Sequence, residues 1–174
     1  MAPDRQPVLE GALVRIRPLV AADWEALYAV ASDPLIWEVH PRPDRWQEPV
    51  FRQFFAEALA CGGGLAIEDK ATGAIIGSSR YDAWVPEEDE IEIGWTFLAR
   101  AYWGGIYNRE VKRLMLDHIH RFVGTVVFLV GENNHRSRGA MAKIGGALIP
   151  GRHHRGGGKV FADHVVYAIR RGEG

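Results

Sequence analysis

A chain of 174 residues, 47% hydrophobic and 25% charged, has the bulk and the apolar content for one buried core, and a second catalytic domain is not expected. Its 21 basic and 22 acidic residues leave a formal charge of -1, which argues against a general electrostatic footprint for nucleic acid or anionic membrane. Cys61 is the sole cysteine, so an intrachain disulfide and a cysteine-based zinc cluster are excluded, and the start Met-Ala-Pro-Asp-Arg-Gln-Pro and the rest of the chain hold neither a signal h-region nor a run of roughly 20 apolar residues. A cytoplasmic protein is the expectation.

Leu-Val-Arg-Ile-Arg at 13–17 alternates apolar and polar and is stopped by Pro18, which reads as a strand with one buried face. Asp23 then opens a helix whose Trp24, Leu27, Tyr28 and Ala31 share one side, and Asp33-Pro34 ends it. After a proline-punctuated loop around Trp46, a second helix gathers Phe51, Phe54, Phe55, Ala58 and Leu59, closed by Gly62-Gly63-Gly64. Leu65 to Lys70 and Ala74 to Trp84 read as an antiparallel hairpin about Ala71-Thr72-Gly73. From Glu90 alternation predicts Ile91, Ile93, Trp95 and Phe97 on one face, with Glu90, Glu92, Gly94 and Thr96 on the other.

A long amphipathic helix follows through Tyr107, Val111, Leu114, Met115, Ile119 and Phe122. The continuously apolar Thr125 to Val130 is then a strand covered on both faces, parallel to its predecessor by a right-handed crossover. A short helix over Ser137, Ala140, Met141 and Ile144 and a terminal strand pair, Ala147 to Pro150 with Val160 to Ile169, complete the chain. The Gly-rich stretch from Gly151 to Lys159 reads as a mobile basic hairpin loop.

Arg100-Ala-Tyr-Trp-Gly-Gly-Ile-Tyr-Asn108 lies where a strand turns into a helix. Unpaired amides and the positive end of the helix dipole converge there, and Gly104 and Gly105 let backbone approach a phosphate closely. Neither a Gly-Lys-Ser/Thr nor a G-x-G-x-x-G pattern is present, which disfavours kinase and dehydrogenase chemistry. By itself the segment is equally an ordinary two-glycine turn.

Three segments carry a resemblance over nearly the whole chain: Leu13-Val-Arg-Ile-Arg-Pro-Leu19 with Asp23; Glu92-Ile-Gly-Trp95 with Tyr102-Trp-Gly-Gly105 and Asn108-Arg-Glu110; and Asn133-Asn-His-Arg-Ser137 leading to Lys143-Ile-Gly-Gly-Ala147. The sequence resembles the GNAT superfamily of acetyl-CoA-dependent N-acetyltransferases, in particular the RimJ/RimL type that includes acetylators of ribosomal-protein N-termini. The resemblance implies one α/β (α+β) domain over 1–174, with a core from about 10 to 171 and a mixed, mainly antiparallel sheet of about seven strands flanked by helices. It implies that Phe97 and Leu98 pair with the pantetheine arm of acetyl-CoA and that Trp103, Gly104, Gly105, Ile106, Tyr107 and Asn108 hold the pyrophosphate. The next strand splays away to open a cleft, and Asn134 contacts the pantetheine from the far side. Where the superfamily loop carries glycine or alanine two residues after its first glycine, this chain has Ile106; either the register shifts or Gly105 supplies the freedom.

Acetyl transfer needs a neutral amine, a polarised thioester and a proton for the leaving thiolate. Deprotonating a lysine at pH 7 costs about 4 to 5 kcal/mol and an N-terminal α-amine about 1, so the second acceptor needs the weaker base. Glu92 is the candidate base, through a water, unless Glu90 and Glu92 merely hydrate an exposed strand face. Many family members protonate the thiolate with a tyrosine where this chain has Met141; Ser137, one turn earlier, is the candidate substitute, its bland role being helix-start hydrogen bonding. Trp37, His40, Trp46, Tyr81 and Trp84 are candidate walls of the acceptor pocket. No metal is expected, since His118 and His120 point apart on their helix. The implied reactants are acetyl-CoA and a primary amine, a protein N-terminus or a small amine such as a polyamine, amino acid or aminoglycoside, without nucleic acid or membrane and with a homodimer as candidate assembly. The rival outside catalysis is an acyl-CoA-binding sensor or assembly module, motivated by Ile106 and Met141.

Overall fold

Residues 1–173 are described by a computed structural model, and among them eight strands form one sheet. The first is a two-residue strand, β1 (Leu9–Glu10), absent from the sequence reading; β2 (Val14–Pro18) lies beside it with Leu9 opposite Ile16. Two helices follow, α1 (Trp24–Ala31) and α2 (Glu48–Ala60), then the hairpin β3 (Gly64–Asp69) and β4 (Ile75–Val85). Next come β5 (Glu90–Leu98), α3 (Ile106–Ile119), β6 (Thr125–Gly131), α4 (His135–Lys143), β7 (Ala147–Ile149) and β8 (His164–Arg170).

The spatial order is β1-β2-β3-β4-β5-β6-β8-β7, and every pair is antiparallel except β5 with β6, which α3 joins as a crossover. The fold is thus the single α/β domain with a mainly antiparallel sheet that the resemblance implies. The last strand is shorter than the sequence suggests. It starts at His164, and Val160 makes only an isolated bridge to His154.

Each face of the sheet buries its own apolar layer. Ile16, Ile67, Ile91, Ile93, Met115 and Ile119 pack under α3 on one side, and Leu27, Phe51, Phe54 and Phe97 pack with α1 and α2 on the other. Full burial of such side chains stabilises by about 1.5–3 kcal/mol each. Polar anchoring also fixes α3, because the Glu110 carboxylate accepts from the amides of Ala12, Leu13 and Val14 at 2.8 Å each, tying the helix to the β1–β2 turn.

Strict alternation in β5 fails at Trp95. Ser79 of β4 faces both Trp95 and Thr96, since Arg80 pairs with Gly94 and Ser78 with Phe97, and Trp95 has φ 53°. This bulge reverses the faces beyond it. Trp95 and Phe97 join the layer of α1 and α2, whereas Leu98 joins Ile91 and Ile93 under α3. Placing Trp95 and Phe97 beside Ile93 is therefore corrected by one inserted residue that hydropathy periodicity does not register.

Candidate functional site

β5 and β6 are paired at three positions only, Glu90 with Thr125, Ile91 with Val126 and Glu92 with Val127. Beyond them the strands part, because the bulge turns β5 away while β6 continues in register with β8 to Gly131. The gap is a cleft of about 620 Å³ between residues 93–98 of β5 and 128–131 of β6, with α4 on one lip and the turn before α3 at one end.

At that end Gly104 and Gly105 have φ of 117° and 104°, a region that side chains with a Cβ strongly avoid. Open space surrounds both Cα atoms. Gly105 is the N-cap of α3, no side chain caps it, and Arg109 N bonds back to Gly105 O at 2.9 Å. The amides before Arg109 are left for a ligand at the positive end of the dipole. Ile106 does not disturb this cradle; it is the first helical residue and is 60% exposed, with the positive φ absorbed by Gly105. Trp103, Gly104, Gly105 and Asn108 line the cleft together with Phe97 and Leu98, whereas Ile106 and Tyr107 do not.

On the lip, Asn134 is buried and lines the cleft, but its Oδ1 is already engaged as the N-cap of α4, accepting from Ser137 N at 3.2 Å. Ser137 lines the cleft as the third residue of α4, one turn from Met141. Arg136 spans the lips: its guanidinium lies 3.9 Å from the centroid of the Trp103 ring, and its Nη2 donates to Ile36 O at 3.1 Å.

The carboxylates of β5 are not a hydrated face. Glu90 and Glu92 are 5% and 1% exposed. Arg152 holds Glu90 through two bonds of 2.8 and 2.6 Å, and Arg155 donates to Glu92 Oε2 at 2.8 Å while its guanidinium stacks over Trp95 at 4.7 Å. The loop after β7, read from sequence as mobile and solvated, is instead pinned to the sheet by two ion pairs. Burial pushes the Glu92 carboxyl up to about 7 against the opposing pull of Arg155. Its Oε1 has no hydrogen-bond partner among the described residues. Glu92 sits one residue behind Ile93 and Gly94, which line the cleft, and does not itself line it.

The candidate acceptor walls separate. Trp37 lines the cleft, its Nε1 donating to Ala31 O at 2.9 Å, and His40 is beside it. Tyr81 belongs to the core instead: it is fully buried and its hydroxyl donates to Met115 O at 2.6 Å. Trp84 packs against that same core cluster, away from the cleft.

Lys112 was not legible as a site residue. Its position on α3 reads as one polar residue of an amphipathic helix, yet it is 6% exposed, lines the cleft floor and donates to Thr96 Oγ1 at 2.7 Å. Burial lowers its ammonium to about 7. Thr96 reaches it only because the bulge turns that residue to the α3 side. Among the described residues no cluster of metal-ligating side chains is present and no helix is long and apolar enough to cross a membrane.

A splayed parallel pair beside a glycine-cradled helix terminus leaves backbone amides turned toward one end of a cleft, an arrangement suited to an anionic group. The family model described as the acetyltransferase (GNAT) domain matches residues 14–147, and the chain belongs to that family. Solved structures agree in fold. A GCN5-related N-acetyltransferase from Brucella melitensis has a TM-score of 0.76 at 21% identity, covering 97% of this chain and 80% of that one. Mycobacterium smegmatis RimJ, solved with CoA-disulfide, has a TM-score of 0.71 at 19% identity over 98% and 90% of the two chains. Spermidine N-acetyltransferase from Vibrio cholerae, solved with CoA and spermine, has a TM-score of 0.68 at 12% identity over 94% and 98%. Comparison with curated protein sequences finds no match.

Proposed function

We propose that the chain transfers the acetyl group of acetyl-CoA to a primary amine. The observation that carries this reading is the parting of β5 from β6 after three paired residues, directly in line with the Gly104-Gly105 turn. Backbone amides of the turn and the dipole of α3 take the pyrophosphate, and the free edge of β5 at Phe97 and Leu98 takes the pantetheine amides. Asn134, its Oδ1 capping α4, contributes from the other lip.

A neutral amine attacks the thioester carbonyl; the N–C bond forms, the C–S bond breaks and the thiolate leaves with a proton. Glu92 receives the amine's proton through a water, and its raised carboxyl matches a base working near neutrality. Ser137, lining the cleft one turn before Met141, supplies a hydroxyl to the leaving thiolate. The motif pattern of the RimJ/RimL type supports a protein N-terminal α-amine as the acceptor, acting in the cytoplasm; a spermidine-type acceptor is supported only by shared fold.

Calorimetric titration with acetyl-CoA, coupled to thiol release over a panel of amines, tests the reading. Stoichiometric binding and turnover on at least one amine are expected. Failure to bind acetyl-CoA overturns it, and binding without turnover on any amine identifies an acyl-CoA sensor instead.

A further inference from the structure

The cleft is basic at both ends, and only one end has an evident use for it. Arg45, Arg109, Lys112, Arg136 and Lys143 line it, and among the described lining residues none is aspartate or glutamate. Arg136, stacked on Trp103, stands by the glycine turn, where donor phosphates account for positive charge. Arg45 lies toward the bulge of β5, since it shares the Phe54 ring with Arg80, whose guanidinium carbon is 4.3 Å from the ring centroid of Trp95. The Arg45 guanidinium carbon is 5.7 Å from the ring centroid of Trp37 and 5.1 Å from that of Phe54. Its neighbour Asp44 pairs with Arg42 at 3.6 Å, and among the described residues Arg45 has no carboxylate within ion-pair distance.

A second guanidinium reinforces this field. Arg80, 3% exposed, lies 5.0 Å from the same Phe54 ring, donates to Phe54 O at 3.3 Å, and likewise has no carboxylate pair among the described residues. Taking an unpaired cation out of water is unfavourable, and an anion bound nearby offsets that cost. His40 reports the field: burial first, then Arg45, His164, Arg42 and Arg136, push its imidazole down to about 3.

The contacts of that neutral ring identify what is missing. Arg42 N points at His40 Nδ1 from 3.0 Å and Arg45 Nη1 at Nε2 from 3.3 Å. A neutral imidazole has one acceptor nitrogen. With Nδ1 accepting from Arg42, the proton is on Nε2 and faces another donor. An anionic oxygen seated there accepts from both His40 Nε2–H and Arg45 Nη1–H.

We infer that this end holds the acceptor by an anionic group, so that the substrate is a primary amine carrying a carboxylate, clamped by Arg45 and His40 with its amine toward the Trp95 bulge. This rests on the acetyl-transfer reading and narrows it. Bidentate recognition of carboxylate is what a guanidinium does best, whereas a polyamine meets repulsion from every charged side chain lining the cleft.

The test uses the full chain and matched acceptors: free amino acids against their amides, each rate referred to the neutral fraction of its amine, and Asp-Ala-Gly against Asn-Ala-Gly, both C-terminally amidated, with spermidine as a tricationic control. The carboxylate member of each pair is expected to lead by ten-fold or more in kcat/KM, chiefly through KM, and spermidine to be slowest. Arg45→Met is expected to erase the preference while leaving acetyl-CoA affinity unchanged, and Arg45→Lys to restore part of it. Whether amino acids or the peptide lead identifies the source of the carboxylate. Equal rates within pairs, a preference that survives in Arg45→Met, spermidine as best acceptor, or acetyl-CoA binding with no amine acetylated each overturn the inference. Loss of acetyl-CoA binding by the unmodified chain overturns the acetyl-transfer reading itself.

Discussion

The two ends of the cleft are built on different principles. At the glycine end the polar groups on offer are backbone: two residues at positive φ and the N-terminus of α3 without a side-chain cap, all within Trp103 to Asn108. At the Trp37 end they are side chains from distant segments, with Trp37, His40 and Arg45 before α2 and Trp95 on the β5 bulge in the wall, and Arg80 of β4 and Arg155 of the loop after β7 packed on Trp95 behind it. Backbone sites are local and tolerate changes of side chain nearby, as exposed Ile106 illustrates. Side-chain sites rest on pairings that each substitution can break.

Glu92→Gln gives the largest expected effect and tests the side-chain end. Turnover of the intact enzyme is expected to rise with pH through about 7, where its carboxyl loses its proton, and the variant to lose that limb and about 100-fold in kcat at pH 8. A pH–rate profile superimposable on the original would remove Glu92 from the chemistry. Gly105→Val probes the backbone end: forcing a β-branched residue to φ 104° costs about 2 kcal/mol, and acetyl-CoA binding is expected to weaken about 30-fold by calorimetry. Unchanged affinity would mean that the donor's phosphates lie elsewhere.

Lys112→Met, on the floor between the ends, is expected to stabilise. The folded ammonium is lowered to about 7 while the unfolded one is ordinary, so the unfolded chain binds more protons between those values. The penalty on the folded state is therefore complete below pH 7 and fades as pH rises past about 10. Urea unfolding should show the variant about 1–2 kcal/mol more stable at pH 6.5, with the gain shrinking by pH 10; a gain independent of pH would contradict a lowered ammonium. Asn134→Ala is the smallest change, about 1 kcal/mol of stability from the lost α4 cap. A fall in acetyl-CoA affinity beyond that would reveal direct contact with the pantetheine arm.

Legibility followed the same division. Trp103 to Asn108 could be read as the turn from strand into helix because that depends on residue type and local order, but not that Ile106 and Tyr107 fall outside the cleft. Phe97 and Leu98 could be read as part of the β5 edge, but not which face each occupies, since a bulge at Trp95 inserts a residue without altering composition. The pinned loop shows the reverse failure: its glycines suggest mobility, and only the positions of Glu90 and Glu92 beneath it reveal why Arg152 and Arg155 hold still.

What the sequence alone determined is the order of the elements after β1, the strand–turn–helix with its two glycines and the acetyltransferase family, all properties of periodicity and short motifs. What only the tertiary structure decided is where charge is buried. The lack of an ion pair to Arg45 among the described residues, the burial of Lys112 against Thr96, the lifting of the Glu92 carboxyl and the core placement of Tyr81 all depend on which distant residues share a dry space. Desolvation is a property of that space, and no stretch of chain carries it.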